Sequence, residues 1–466
     1  MKTIILNFLL VGFAAYMALG QRLVYVGQGN SVPLFSSIED SIAYHSTEAR
    51  LTEMLQNRNP DKRELDSLMQ ARELTRNKII GYRRTFSPSK GFEVWKPGEP
   101  NPEVTHLTIE EKNLSKIPNE IYSLQNLEGL ELIGTKLKKL PGRLRKIPGL
   151  KTLHVFNNLS GNPLKLRKNK SIKTLVIRTD NYSMLPTTYK SFKGLVKLDL
   201  AANQLKDFPS GIYKNKNLND LILHSNVMDI ANTNFKKHPS LRNLELQKNQ
   251  ITRVPASIGN LTSLTKLLFN LNKIEQVDEG IGNLKNLEQL SFYNNKLNSL
   301  PTSVYDLTKL KVLDLYHNNI ERIDSRISNW TDLSILYLSY NRLISVPESI
   351  GNLSKLEELY LHHNRLSALP ESLGQLDSLK ILRVQNNYLI TLPASIKQLQ
   401  NIENLNVSSN KLMTFPDELF HLKHLKILSL VDNPWDSETK VVIQKETTRL
   451  TNSDVVVHVN SFEDKN

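Results

Sequence analysis

A motif of the form L-x-x-L-x-L-x-x-N-x-L recurs fifteen times along this chain, starting at Val104, Leu127, Leu150, Ile172, Leu195, Leu218, Leu241, Leu264, Leu287, Leu310, Leu333, Leu356, Leu379, Ile402 and Leu425. The starts are 23 residues apart, save for one interval of 22 between Leu150 and Ile172. A fixed period of this length marks a solenoid: one unit cannot bury its own apolar face, so neighbours stack and bury it together. The 466 residues therefore do not have to be divided into several globular domains, because a solenoid grows along one axis.

Each unit reads as a short strand followed by a return segment. In the unit that starts at Leu356, alternation of period two sends Leu359 and Leu361 to one side and Glu358 and Tyr360 to the other. The strand ends at Asn364, whose amide carries both a donor and an acceptor and suits a turn whose backbone groups are buried in the stack. Twelve of the fifteen units have Asn there, and the exceptions (Lys112, Thr135, Asp180) all lie in the first four, so the N-terminal end is the less regular one. The return, as in Leu369, Pro370, Leu373 and Leu376, has a proline to start a short helical or 3₁₀ turn and apolar residues about three apart. Fifteen strands at the usual ~4.8 Å spacing predict an inner sheet on the order of 65 to 70 Å along its arc.

The motif resembles the leucine-rich-repeat family, and the return Val346, Pro347, Ile350, Leu353 is similar to its 23-residue subclass, which includes many bacterial repeat proteins. The resemblance covers residues 104 to 447, about three quarters of the chain. It implies an α/β solenoid of horseshoe form, with a parallel β-sheet on the concave face and short helical or 3₁₀ turns on the convex face. It says little of the partner, because the shared residues are structural.

The ends differ in character. Residues 1–20 have a positive charge at Lys2, an apolar stretch from Ile4 to Leu19 and small residues at Ala18 and Gly20, the pattern of a secretory signal peptide cleaved before Gln21. As an anchor the stretch falls short of the ~20 apolar residues a span needs, and Asn7 interrupts it. The expectation is an exported chain, periplasmic, cell-surface or secreted, with no transmembrane segment after cleavage. Residues 21–103 are expected to hold a helical N-terminal cap, with helices from Ser36 to Leu55 and from Leu65 to about Ile80 or Tyr82, and a connector whose Phe92, Val94 and Trp95 cover the first repeat. After the array, a helix is expected from Ser437 or Glu438 to Leu450 and a closing strand from Val455 to Val459, with residues 448–466 as cap and tail. No appended catalytic domain is expected.

Strand positions that point away from the leucines are free of packing demand, so a binding surface is sought there. In repeats eight to twelve they carry Leu268, Leu271, Tyr293, Tyr316, His317, Tyr337, Tyr340, Tyr360, His362 and His363. Tyrosines offer broad contact area with a hydrogen-bonding tip, the composition of a protein-recognition surface. The alternative is that these rings stack along the sheet and stabilise it. A metal reading of the histidines is weak, because no carboxylate cluster completes a coordination shell, and no metal or cofactor is expected.

Twelve basic residues and no acidic ones lie between Lys136 and Lys173, the main source of the +14 formal charge. Lys138, Lys139, Arg143, Arg145, Lys146, Lys165, Arg167, Lys168 and Lys170 are the core of this patch. Two readings stand: attraction to an acidic glycan, lipid surface or other polyanion, or a solvated edge. Nucleic acid is the least expected partner of an exported chain. The absence of cysteine excludes disulfides, thiol nucleophiles and Cys-ligated zinc. No phosphate-binding glycine loop, nucleophile elbow or H-E-x-x-H motif occurs. The sequence thus reads as a binding module for a protein or peptide, with carbohydrate or polyanion binding at the cell envelope as the alternative, and not as an enzyme.

Overall fold

The computed structural model describes residues 88–98, 101–159, 164–165, 169–178 and 192–460, together with the backbone of two strands, Gly29–Phe35 and Ile79–Phe86. Contacts divide the chain into two compact units, Met1–Leu137 with Lys146–Ser160 and Lys138–Arg145 with Gly161–Asn466. The proposed signal segment and most of the expected N-terminal helices lie outside the described residues. Where the second helix was expected to end, Ile79–Phe86 is instead a strand, paired antiparallel with Gly29–Phe35. The β-branched and aromatic residues Ile79, Ile80, Tyr82, Thr85 and Phe86 favour that outcome.

In the first unit, four parallel strands, Glu93–Val94, His106–Glu110, Gly129–Ile133 and Thr152–Phe156, pair in sequence order. The connector adds the first of them: Glu93 pairs with Leu107, and the Trp95 amide donates to the Thr108 carbonyl (2.7 Å). Phe92 reaches further than the first repeat, packing edge-on against His106 (5.0 Å between centroids) and stacked on His154 (5.6 Å). Gly129 lies beneath them, and a Cβ there would overlap the His106 ring, which accounts for glycine inside a strand. Val94 stays exposed. The amide and hydroxyl of Ser89 both donate to the buried Glu131 carboxylate, which burial holds above the usual range.

The second unit stacks thirteen parallel strands, from Thr174–Arg178 to Val456–His458, each paired with the next. The register is constant: Leu198, Leu221, Leu244, Leu267, Leu290, Leu313, Leu336, Leu359, Leu382, Leu405 and Leu428 sit opposite one another, all buried. The returns are five-residue 3₁₀ turns such as Glu348–Asn352 and Glu371–Gln375, entered through Pro347 and Pro370 at φ −70° and −69°, the value the proline ring imposes. At the far end Asp436 caps the helix Ser437–Thr451, accepting the Thr439 amide (2.7 Å), and Val456–His458 closes the sheet beside Ile427–Ser429. Among the described residues no helix is long and apolar enough to cross a membrane.

The repeat Asn forms a ladder. The Asn364 amide nitrogen donates to the carbonyls of Leu338 (2.9 Å) and Leu361 (2.9 Å), and its oxygen accepts the Leu343 amide (2.9 Å). The donations to the residues 26 and 3 positions earlier recur at every repeat Asn from Asn203 to Asn433. The residue just before each of these is left-handed: Ala202, Ser225, Lys248, Leu271, Asn294, His317, Tyr340, His363, Asn386, Ser409 and Asp432 have φ between 52° and 59°. Asn364→Ala would leave the Leu343 amide without its partner and take one of two asparagine donors from each of the Leu338 and Leu361 carbonyls, which keep Asn341 and Asn387. It is expected to lower the free energy of urea unfolding by about 2–4 kcal/mol, with Asn364→Asp little better because a carboxylate cannot donate.

Candidate functional site

The inner sheet of the second unit presents its side chains in rows that cross the strands. The central row runs Leu268, Ser291, Asp314, Tyr337, Tyr360, Arg383, Asn406, one residue per strand. The next outward-facing position carries Tyr293, Tyr316, Ser339, His362 and Gln385, and the left-handed position carries Leu271, Asn294, His317, Tyr340, His363 and Asn386. The sequence-predicted residues all fall on these rows.

The rings form one connected cluster. Tyr293 stacks on Tyr316 (5.3 Å), Tyr316 meets Tyr340 (5.0 Å), and Tyr340 stacks on His363 (4.1 Å). His317 lies 6.1 Å from Tyr340, and Tyr337 stacks on Tyr360 (4.7 Å). His362 joins the two groups, 5.6 Å from Tyr340 and 6.4 Å from Tyr360. The predicted residues are not equally available, however. Leu268 (8% exposed) and Tyr337 (3%) belong to the packed floor and do not offer the contact surface expected of them, because side chains at strand spacing close over one another within the row. Tyr340 (38%) and His317 are exposed, while Leu271, Tyr293, Tyr316, Tyr360, His362 and His363 are half-buried.

Hydrogen bonds set the orientation of several rings. The Ser339 hydroxyl and His362 Nδ1 are 2.7 Å apart, Asn386 Nδ2 lies 3.3 Å from His363 Nε2, and the Tyr360 hydroxyl donates to Glu358 (2.7 Å). Burial, aided by His363 and Arg383, lowers the His362 pKa to about 3, and burial lowers that of His363. Burial also pushes the phenols of Tyr316, Tyr337 and Tyr360 up. His362 and His363 are therefore uncharged at neutral pH. Among the described residues no three His, Asp or Glu side chains gather in a way that would hold a metal ion.

Two site residues were not singled out from the sequence. Asp314 is fully buried in the central row, where Ser291 Oγ (2.8 Å) and the Tyr316 amide (3.0 Å) donate to it, and burial pushes its pKa up to about 6. Arg383 lies over the Tyr360 ring, its guanidinium carbon 5.7 Å from the centroid. Of the basic patch, Lys138, Lys139, Arg143, Arg145, Lys165 and Lys170 are exposed in the second unit and Lys146 in the first, while Arg167 and Lys168 lie outside the described residues. A backbone bridge pairs Lys139 with Lys165, and the Lys165 amide donates to the Lys138 carbonyl (3.1 Å), which gathers three of these cations.

Parallel strands, proline-entered 3₁₀ returns and an asparagine ladder at one period define a leucine-rich-repeat solenoid. Comparison with known families agrees: residues 324–460 match a leucine-rich repeat region, residues 285–328 a model of two leucine-rich repeats, and residues 165–281 a BspA-type leucine-rich repeat region. The chain belongs to the leucine-rich-repeat proteins. Among solved structures it is similar to the Leptospira interrogans LRR protein LIC12759, at 29% identity and a TM-score of 0.60, over 77% of this chain and 96% of that one. It also shares its fold with the internalin InlF of Listeria monocytogenes (19% identity, TM-score 0.53, 71% of this chain and 86% of that one). The functional domain of InlJ from the same organism is a further example (17%, 0.50, 71% and 70%).

The buried Asp314 makes a signed prediction. Below the ordinary aspartate pKa of 3.8 the carboxyl is protonated in the folded and the unfolded chain alike; as pH rises through about 6, folding has to keep an ionised group out of water, and stability falls. Asp314→Asn, whose oxygen can keep the Tyr316 amide while its new Nδ2 donates to the Ser291 hydroxyl, is expected to stabilise the protein by about 1–3 kcal/mol at pH 7.5 and by little at pH 4. Urea unfolding at the two pH values checks this, and an equal effect at both would show that charge burial is not the cause.

Proposed function

We propose that this chain is an exported binding module that holds a protein or peptide against the aromatic patch of repeats eight to twelve. The observation that carries the reading is the ring cluster itself. Tyr316, His317, Tyr340 and His363 present their faces or edges on the inner sheet, at positions that the neighbouring repeats fill with Asn270, Asn294, Gln385 and Asn386. The repeat thus folds without rings there, and a left-handed Tyr340 works against its own backbone preference, at a cost of roughly 1–2 kcal/mol. Aromatic rings partly withdrawn from water, with hydrogen-bonding tips, are the usual anchors of protein recognition. The signal-like segment at residues 1–20 and the BspA-type repeat match support export to the periplasm, the cell surface or the medium. In this reading the chain performs no catalytic step and needs no cofactor. The exposed lysines 138, 139 and 165 keep an acidic glycan or envelope surface as the second candidate partner.

The test is a pull-down from envelope and secreted extracts with the chain from Gln21 and its Tyr340→Asn, His363→Asn double variant. Asn is the native residue at the same repeat position in Asn294 and Asn386 and tolerates positive φ, so the variant is expected to unfold at the wild-type urea concentration or above it. A protein retained by the wild type is expected to be lost by the variant. Equal retention by both would remove the aromatic patch from the account, and retention only of salt-sensitive acidic polymer would point to the basic patch instead.

A further inference from the structure

Arg383 differs from the other charged residues of the central row. Asp199 is bound by Arg178 (2.6 Å), Glu245 by Lys266 (3.2 Å), and Asp314 by the Ser291 hydroxyl. Both ion pairs join residues 21 apart, the offset that the constant register brings together. The residues 21 positions either side of Arg383 are His362, which is neutral, and Asn404. Among the described residues no carboxylate lies within ion-pair distance of Arg383, and its Nε is buried without a hydrogen-bond partner. Glu358 is turned to the Tyr360 hydroxyl instead, and the Tyr360 ring fills the space beside the guanidinium. Two residues further on, Gln385 Oε1 is also buried without a partner. A buried donor or acceptor left unmade costs about 1–3 kcal/mol, which a bound group that pairs with it recovers.

Resting on the reading above, we infer that Arg383 anchors a carboxylate of a bound peptide at the C-terminal margin of the aromatic patch, with Gln385 Oε1 accepting a peptide amide. Arg383 and Tyr340 are two strands and three strand positions apart, on the order of 10–15 Å, a distance that three to four extended residues span. The recognised segment thus carries an apolar residue on Tyr340 and His363 and, three to four positions away, an acidic group. Either an acidic side chain or a free C-terminus supplies that group, since a guanidinium binds both in the same way. A peptide is favoured over an acidic sugar because the surface beside Arg383 is made of the Tyr337, Tyr340 and Tyr360 rings and the uncharged His362.

The experiment uses the chain from Gln21 and a synthetic array of twelve-residue peptides, each made with free and with amidated C-termini. Retained peptides are expected to carry the acidic group, and Arg383→Gln to weaken them at least tenfold. Arg383→Lys should recover part of that loss. Lys411→Gln, which removes a cation that lies over Tyr388 at the adjacent repeat, should change affinity less than twofold. Either amidation of the peptide or Asp/Glu→Asn/Gln within it should cost the wild type as much as Arg383→Gln does and cost the Gln variant nothing further, and which change acts identifies the source of the carboxylate. Peptides bound equally by Arg383→Gln, or retained without any acidic group, overturn this assignment while leaving the aromatic patch a binding surface. An array with no retained peptide overturns both. A heparin fragment that needs Arg383 where no acidic peptide does would replace the peptide with an acidic glycan.

Discussion

From Asn203 to Asn433, each repeat turns on a single side chain. A strand that ends inside a stack has to reverse direction with its carbonyls pointing into protein, where an unpaired one costs as much as a lost hydrogen bond. The Asn364 amide donates back to its own turn and to the turn 26 residues earlier, while its oxygen takes an amide of that earlier repeat. No other neutral side chain of that length offers two donors and an acceptor together, so the left-handed residue before it and the straight rise after it follow from this choice. Because the ladder runs between repeats, each turn is completed only by its neighbour, and a repeat excised from the array would lose the bonds that shape it.

That arrangement releases the inner face. Once the leucines are packed and the turns are satisfied, the residues between them are not held to one identity: Ser291, Asp314, Tyr337, Tyr360 and Arg383 succeed one another in one row. Where such residues contradict local preference, the contradiction is informative. Tyr340 and Leu271 occupy backbone that suits Asn or Gly, and Asn294 and Asn386 hold that position in the repeats that flank the run His317, Tyr340 and His363. Rings retained at a backbone cost, in contact with one another and partly open to solvent, are a feature that the solenoid itself does not require.

The repeats, the asparagine ladder, the proline-entered returns, the closing helix at Ser437 and the strand after Val455 were legible in the sequence because each follows from local chemistry repeated at one period. What was not legible depended on neighbours across the sheet. Tyr337 and Tyr340 look alike in the sequence, yet one is floor and the other surface, since the first is hemmed between Asp314 and Tyr360 in its row and the second projects from the turn. Asp314 reads as an ordinary exposed acid until its row is seen to be dry. The strand at Ile79–Phe86 lies before the first repeat, where periodicity offers no guide and the helical reading rested on apolar spacing alone. A sequence signal for the left-handed position did exist, in Asn157, Asn294, Asn386 and Asp432 at intervals of whole repeats, residues whose short polar side chains tolerate positive φ.

Charge is distributed over the second unit in two different ways, with different consequences for binding. The cations at Lys138, Lys139 and Lys165 stand in solvent, where attraction reaches only about a Debye length and fades with salt. On the inner sheet, burial keeps His362 and His363 neutral and the tyrosines protonated, so that little mobile charge surrounds Arg383 and its field is weakly screened. A contact made there depends on geometry more than on ionic strength, whereas one made at the lysines depends on net charge and little on shape. In the proposed reading the lysines make the salt-sensitive contact and Arg383 the one that depends on shape.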